Sequence, residues 1–245
     1  MYGIKASWRT LRGCALLLLG LLSAPWSQAG SFQVSPVRTT LSAAQGVGSM
    51  TVRNDGTEPI VIQLQVMSWS QQQGKDVYNP TREIVATPPI FTVPPHGTQI
   101  VRVGLRRSPD AQRELTYRLY LQEVPPPRKA DLTGLQMALR IGVPVFVKPS
   151  VATAPVLRWQ AVRTPQGLLR ISLNNSGNAH IQVANLTLRS ADGSGLGMLQ
   201  TAAYVLPGQS SAWLVKVAAP PGATLRIRAQ TDAGDIPADV VIPQT

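Results

Sequence analysis

Few residues in this sequence are of the types that perform catalysis or bind metals. The 245-residue chain contains two histidines, His96 in PPHG and His180 in NAHI, and one cysteine. A zinc site or a histidine-based acid–base pair needs several such side chains close together, and these two histidines lie far apart in the sequence. We therefore predict no catalytic residue, no metal site and no bound cofactor.

A glycine-rich segment, DGSGLG at 192–197, has the residue type that cradles phosphate groups. It does not follow a strand-to-helix pattern and it lacks the lysine of a P-loop, so we interpret it as a hairpin loop. The sequence has no GxSxG motif, and no nucleophile has a recognisable base partner. An enzymatic function is therefore disfavoured.

The charged residues indicate a binding function instead. Lys and Arg number 23 against 12 Asp and Glu, which gives a formal net charge of +11. The basic residues are dispersed singly rather than clustered in runs, which argues against a nucleic-acid partner. We expect a surface that attracts acidic partners or anionic chain ends.

The N-terminal segment has the pattern of a secretory signal. Three basic residues precede the apolar run CALLLLGLL, and the small residues of SQA end at Ala29. The alternative, an uncleaved anchor, needs roughly 18 or more apolar residues, and Pro25 and Gln28 interrupt the run too early. We expect cleavage of residues 1–29, no stable membrane insertion afterwards, and a mature chain without Cys14 and hence without disulfides.

The rest of the sequence predicts an all-β protein. Short alternating runs recur between Gly, Pro, Asn and Asp, six of them before residue 149 and six after residue 155. The intervening PSVATAP has no periodicity and contains two prolines. We predict two tandem sandwiches, an N-terminal domain at 30–149 and a C-terminal domain at 150–245. A single large barrel could use as many strands, but it would not explain the break.

One alternating run, LQMALRIGVPVFV at 135–147, is unusually long. Every second residue from Leu135 to Val147 is apolar, which specifies one hydrophobic strand face. Pro144 cannot donate a ladder hydrogen bond, so we expect this strand at the edge of a sheet. A long apolar edge persists where another chain is meant to pair with it. The run therefore predicts a protein that lends a strand to other chains.

Three segments resemble the periplasmic chaperones of the chaperone–usher pilus pathway, the PapD-like chaperones. They are IVATPPIFTVPPHGTQIVRV (84–103), YLQEVPPP (120–127) and LQMALRIGVPVFVKP (135–149), in the family's order and spacing. The resemblance covers essentially the whole mature chain and is stronger up to residue 149. It implies two immunoglobulin-like domains in a boomerang arrangement, a periplasmic location and a function that needs neither catalysis nor ATP.

The resemblance also implies donor-strand complementation of pilin subunits, which look like immunoglobulin folds that lack their last strand. The chaperone's G strand, here 135–147, would fill the groove and later hand the subunit to an outer-membrane usher. The donated side chains would be Leu135, Met137, Leu139, Ile141 and Val143. Val145 and Val147 are expected to pack inside the first domain instead.

Members of the family hold the subunit's terminal carboxylate with two basic residues in the inter-domain cleft, a charge-assisted contact that fixes strand register. The first basic residue corresponds to Arg38 in SPVRTT, and the second, a lysine in the family, corresponds to Pro144. The second anchor therefore stays open between Arg102, Arg140 and Lys148.

An inter-domain ion network is implied as well. Glu114, Lys148 and Asp232 stand where the family has an acid, a base and an acid, and we expect them to orient the two domains.

The alternative to a chaperone is a secreted two-domain sandwich adhesin or carbohydrate-binding module. Such a protein would recognise its ligand through loops and would tolerate aspartate at Met137 and Leu139.

Overall fold

The computed structural model describes residues 32–127 and 137–244. The expected signal segment 1–29 and the expected donor residue Leu135 lie outside the described residues. The described part of the chain forms 17 β-strands and no helix, so it contains no helix long and apolar enough to cross a membrane.

Ten strands lie in the first half of the chain. They are β1 (Phe32–Ser35), β2 (Thr39–Leu41), β3 (Val47–Asn54), β4 (Ile60–Gln72), β5 (Lys75–Pro80), β6 (Ile84–Thr87), β7 (Ile90–Val93), β8 (Thr98–Leu105), β9 (Leu115–Val124) and β10 (Arg140–Val147). Seven follow in the second half, namely β11 (Leu157–Arg163), β12 (Leu169–Asn175), β13 (Ile181–Ser190), β14 (Gly195–Val205), β15 (Gln209–Val215), β16 (Thr224–Thr231) and β17 (Gly234–Val241).

The first ten strands form a sandwich of two sheets. One sheet has the order β1-β3-β8-β6, and the other has the order β2-β10-β9-β4-β5, with β7 also paired to β4. Successive side chains of a strand point to opposite faces, so β3 buries Met50 and Val52, and β9 buries Leu119 and Leu121 against them. Each such apolar side chain contributes about 1.5–3 kcal/mol on burial, which makes this core the main source of stability in the first half.

Strands β11 to β17 form a second sandwich with its own core. Its sheets have the orders β11-β12-β15 and β14-β13-β16-β17. Leu169, Ile171 and Leu173 on β12 face Leu186 and Leu188 on β13, and all five are at most 1% exposed. The predicted all-β fold of two sandwiches is confirmed.

A buried asparagine closes one end of each sandwich. Asn54 at the end of β3 and Asn175 at the end of β12 are both fully buried. In each case Nδ2 donates across the sandwich and Oδ1 accepts the N–H two residues further on: Asn54 bonds Val93 O and Gly56 N, and Asn175 bonds Val205 O and Gly177 N. Each amide thus satisfies backbone groups that burial would otherwise leave unpaired.

Several predicted elements differ from the observed ones. The strand expected over 32–41 is divided, because β1 pairs with β3 in one sheet and β2 pairs with β10 in the other. Strands β5, β6 and β7 carry four to six residues each, too few for a clear alternation. The hairpin loop expected at DGSGLG is confirmed only for 192–194, because Gly195–Gly197 already belong to β14, which pairs with β13.

Candidate functional site: an open strand edge beside a basic cleft

Strand β10 has an open edge over its first five residues. It pairs with β9 along its whole length, whereas β2 covers its other side only from Val145 to Val147. Within the described residues, nothing pairs with the second side of 140–144. The predicted edge position is therefore confirmed for the part of the strand that contains Pro144.

The strand expected over 135–147 begins only at Arg140, and the apolar alternation changes from exposed before β10 to buried within it. Met137 is 66% exposed and Leu139 is 40% exposed, whereas Ile141 packs partly against the first core. Val143 is 1% exposed and lies within that core, as Val145 and Val147 do. The expectation that Val143 is offered to a partner is wrong, because the sandwich has already closed over the strand at this position.

The opposite face of β10 meets a cluster of aromatic and basic side chains. Pro144 lies opposite Arg118 on β9. The guanidinium carbon of Arg118 is 4.2 Å from the ring centroid of Trp69 and 5.9 Å from those of Tyr78 and Tyr204. A cation is thus held beside the position where the family pattern has a lysine. The alternation in TYRLYLQ places Arg118 on the face opposite Tyr117, a signal that the sequence analysis did not use.

The three sequence candidates for a second anchor lie in different places. Arg140 faces the same side as Arg118, with its guanidinium carbon 4.0 Å from the Tyr120 ring centroid and Nη2 donating to Gln65 Oε1 at 3.0 Å. Lys148 is exposed just beyond β10. Arg102 lies between buried Val101 and Val103, so it projects from the outer face of the other sheet. Arg102 therefore lies on a different sheet from Arg118 and Arg140 and is no longer a candidate for the second anchor.

Phe146 joins the two sandwiches. It is fully buried, and its ring lies parallel to the His180 ring with 3.5 Å between centroids and 7° between planes. Trp69 and Leu206 complete a small buried cluster with it, and Tyr204 packs against them. We call Trp69, Phe146, Tyr204 and Leu206 the interface cluster. It couples the face of β10 to the second sandwich.

The ion network at this interface is centred on His180. His180 Nδ1 is 2.6 Å from Glu114 Oε1, and Nε2 is 3.5 Å from Asp232 Oδ2. Arg38 Nη1 donates to the same Asp232 oxygen at 2.6 Å. Glu114 and Asp232 therefore meet as expected, but they meet through a histidine.

The expected place of Lys148 in this network needs correction. Among the described residues, Lys148 forms no ion pair with either carboxylate, because its exposed side chain lies past the end of β10 while His180 fills the space between them. His180 had no predicted place in this network, because the sequence suggested only a metal ligand or an acid–base group at that position. Glu114 and His180 are 66 positions apart in the sequence, and no local pattern connects them.

The network shifts the pKa values of its members. Burial alone would raise the pKa of Asp232, but the nearby His180 ring, the hydrogen bond from the Gln182 N–H and the one from Arg38 outweigh it and lower the pKa to about 2. Burial alone would lower the pKa of His180, but Asp232 and Glu114 outweigh it and raise the pKa above its usual value. The arrangement thus favours a protonated imidazole between two carboxylates.

Backbone and amide groups complete the interface. Gln71 on β4 donates through Nε2 to Tyr204 O at 2.8 Å and accepts the Leu206 N–H through Oε1 at 3.1 Å. Arg113 donates to Pro207 O, and Asn178 donates to Gln112 O at 3.1 Å. These bonds hold the two sandwiches in one relative position. In residues 32–127 and 137–244, no group of three or more His, Cys, Asp or Glu side chains could hold a metal.

Solved structures with this fold include several pilus chaperones. One is the CsuC–CsuE chaperone–tip adhesion subunit pre-assembly complex of Acinetobacter baumannii, with 20% identity, a TM-score of 0.66, and coverage of 87% of this chain and 100% of the other. The complex of SafA pilin with the SafB chaperone from Salmonella enterica matches with 18% identity, a TM-score of 0.63, and coverage of 88% and 98%. The E. coli chaperone DraB matches with 20% identity, a TM-score of 0.61, and coverage of 86% and 99%.

The sequence itself also matches a family. A search of curated protein sequences gave no match, whereas the family described as "Pili and flagellar-assembly chaperone, PapD N-terminal domain" matches residues 31–153. This region contains all of the first sandwich, the open edge of β10 and Arg38. The chain therefore belongs to the PapD-like family of pili and flagellar-assembly chaperones.

Proposed function

We propose that this protein is a periplasmic chaperone that caps pilin subunits by adding β10 and the residues before it to the subunit's unfinished sheet, and then delivers the subunit to an outer-membrane usher. The observation that carries the proposal is the open edge at 140–144, continued by the exposed Leu139 and Met137. An edge with a hydrophobic face is what strand addition requires. The division into domains at 30–149 and 150–245 belongs to the same proposal.

The class of partner rests on the solved relatives. SafB is in complex with a pilin, and CsuC is in complex with a tip adhesion subunit. One partner is a pilin and the other is the tip subunit of a pilus, and this chain matches the structures that contain these chaperones. An adhesin function would leave the open, partly apolar edge of β10 without a purpose.

We propose Arg38 and Arg118 as the two basic residues that receive the subunit's terminal carboxylate. The positive charges of both arginines act on the hydroxyl of Tyr204: burial raises the pKa of Tyr204, and the charges of Arg118 and Arg38 oppose that rise. The two guanidinium groups therefore lie near one point, where they could act together on a carboxylate. The side chain of Arg38 is 42% exposed, so a partner can reach it. Arg118 lies directly across from Pro144 and supplies the charge that the proline lacks. Arg140 and Lys148 remain the other candidates.

The ion network of Glu114, His180 and Asp232 would keep the cleft in shape by fixing how the second sandwich lies against the first. In this proposal Lys148 takes no part in it. The network orients side chains and performs no chemistry.

The contribution of the exposed donor side chains can be estimated. A fully buried Leu or Met side chain gains about 1.5–3 kcal/mol, and the exposed fractions of Met137 and Leu139 scale this to roughly 2–3 kcal/mol together. A loss of this size weakens a complex by roughly 30- to 150-fold. Aspartate at both positions adds a desolvation cost to this loss.

The test is co-expression of a tagged chain with the exported proteins encoded beside its gene, followed by purification from the periplasm. We expect wild type to retain a pilin-like subunit and the Met137→Asp/Leu139→Asp variant to lose it. Leu214→Asp is the matched control, because Leu214 is 59% exposed on β15 of the second sandwich, whereas the open edge belongs to the first. Equal subunit yields from both variants would contradict the proposed function.

A further inference from the structure

Arg38 is already occupied in the free protein. Its Nη1 donates to Asp232 Oδ2 at 2.6 Å, and Asp232 lies in the turn between β16 and β17 of the second sandwich. The bond joins residues 194 positions apart, so it forms only when the two sandwiches are docked. A partner's carboxylate and Asp232 offer the same chemical group to the same guanidinium, and they therefore compete for it.

The oxygen that holds Arg38 is also the oxygen that faces His180. Asp232 Oδ2 is 3.5 Å from His180 Nε2, while Asp232 Oδ1 accepts the Gln182 N–H at 2.9 Å. On the other side of the ring, Nδ1 is 2.6 Å from Glu114 Oε1, and because an ionised carboxylate only accepts, we assign the proton of this contact to Nδ1. When the imidazole is neutral, the proton that it keeps is the one on Nδ1, and Nε2 presents a lone pair to Asp232. When it is protonated, Nε2–H becomes a second donor to Oδ2.

Among the charged groups around His180, the charge that changes near neutral pH is the one on the imidazole itself. The charged or titratable neighbours are Glu114 next to β9, Asp232 after β16, Arg38 before β2 and Tyr204 on β14, with Arg118 beyond the Tyr204 ring. Phe146 on β10 covers one ring face and carries no charge. Of these groups, His180 is the one whose ordinary titration range lies near neutral pH.

We propose that Asp232 is a built-in competitor for the carboxylate site on Arg38, and that protonation of His180 relieves this competition, so that carboxylate-ended partner segments bind more tightly as the pH falls. A protonated imidazole supplies Asp232 with a counter-ion, which weakens the hold of Asp232 on Arg38. The proposal rests on Arg38 as the anchor of the proposed function. The raised pKa of His180 agrees with a proton held between the two carboxylates.

The first experiment needs no partner. The chain has two histidines, so the imidazole signals of His96 and His180 can be followed by NMR across a pH titration of the mature protein. Since Arg38 and His180 share Asp232 Oδ2, we expect Arg38→Gln to raise the pKa of His180 by about half a unit or more, and Asp232→Asn to lower it. His96 is the internal control. An unchanged His180 pKa in Arg38→Gln overturns the coupling.

The second experiment measures binding of the subunit that co-purifies with the wild-type chain, at pH 6 and pH 8. We expect Asp232→Asn to bind about two- to fivefold more tightly than wild type at pH 8, the range of a partly exposed ion pair. Wild type should gain a similar factor between pH 8 and pH 6, and His180→Gln should gain none. Weaker binding by Asp232→Asn would show that Asp232 positions Arg38 and does not compete with the partner.

The two proposals fail in different ways. If Arg38→Ala binds the subunit as tightly as wild type, Arg38 is not the anchor and that part of the proposed function is wrong. If Arg38→Ala loses the subunit while Asp232→Asn and the change of pH have no effect, the anchor stands and the competition is wrong. Thermal unfolding of each variant separates these outcomes from loss of fold.

Discussion

Truncation of Phe146 to alanine tests whether the interface cluster couples the two sandwiches. Phe146 is fully buried and stacks on His180, while its neighbours Val145 and Val147 point into the first core. Removing a buried Phe side chain costs about 3–5 kcal/mol, and the aromatic stack contributes about 0.5–1.5 kcal/mol of its own. Against a domain stability of about 5–15 kcal/mol, this loss is large.

We expect this loss of free energy to weaken the contact between the two sandwiches and to leave both hydrophobic cores intact. We expect wild type to unfold in urea as one transition and Phe146→Ala to show two, with the second sandwich released first. Trp69 fluorescence, measured in a background with Trp159→Phe and Trp213→Phe, reports the interface, because its ring centroid is 6.0 Å from that of Phe146.

Two matched variants locate the effect. Phe146→Leu keeps apolar volume and loses the stack, so its loss should be the smaller one, whereas Val145→Ala should weaken the first sandwich and leave the coupling intact. A single transition with a loss below about 1 kcal/mol in Phe146→Ala would refute the reasoning, since the sandwiches would then be held together elsewhere.

Three further predictions concern the same interface and the sandwich ends. The folded protein raises the pKa of His180. Protonation of His180 therefore stabilises the fold fully below pH about 6.5, and this stabilisation is lost as the pH rises through the raised pKa. The melting temperature should fall over that pH range in wild type and stay level in His180→Gln. Gln71→Ala leaves Tyr204 O and the Leu206 N–H buried without partners and should cost about 1–3 kcal/mol in urea unfolding, whereas the exposed Gln63→Ala should cost almost nothing. Asn175→Ala should lower the unfolding free energy of the second sandwich by about 2–4 kcal/mol, measured by hydrogen exchange, and protection of the first sandwich should not change.

Much of the fold follows from local alternation. Long runs such as 98–105 and 60–69 match β8 and most of β4, because burial on one face of a sheet imposes a period of two. The division of 32–41 between two sheets has no such local signature. It depends on β2 finding its partner in β10, about a hundred residues later in the chain.

The candidate site was predictable in part for the same reason. The open edge and the position of Pro144 follow from the sequence of one strand. Arg118 required the register between β9 and β10, and His180 required the docking of two sandwiches that no sequence pattern specifies. The resemblance to the family implied Arg38 as a carboxylate anchor, but it could not show that Asp232 binds the Arg38 guanidinium in the free protein.

Pro144 limits how far an added strand can run. Leu139 O accepts the Glu123 N–H at 2.9 Å, so in this antiparallel pair the odd-numbered residues of β10 point their backbone groups at β9 and the even-numbered residues point theirs at the open edge. The edge therefore offers N–H donors at Arg140 and Gly142, and at Pro144 it offers a carbonyl alone.

A guest strand that continued past this position would leave one of its carbonyls without a donor, and beyond it β2 already occupies the edge. In the proposed complex a guest strand would therefore end beside Pro144, which pairs on its other side with Arg118 of β9. In that complex Pro144 would set the length of the guest strand, and Arg118, the proposed second anchor, would receive its carboxylate end.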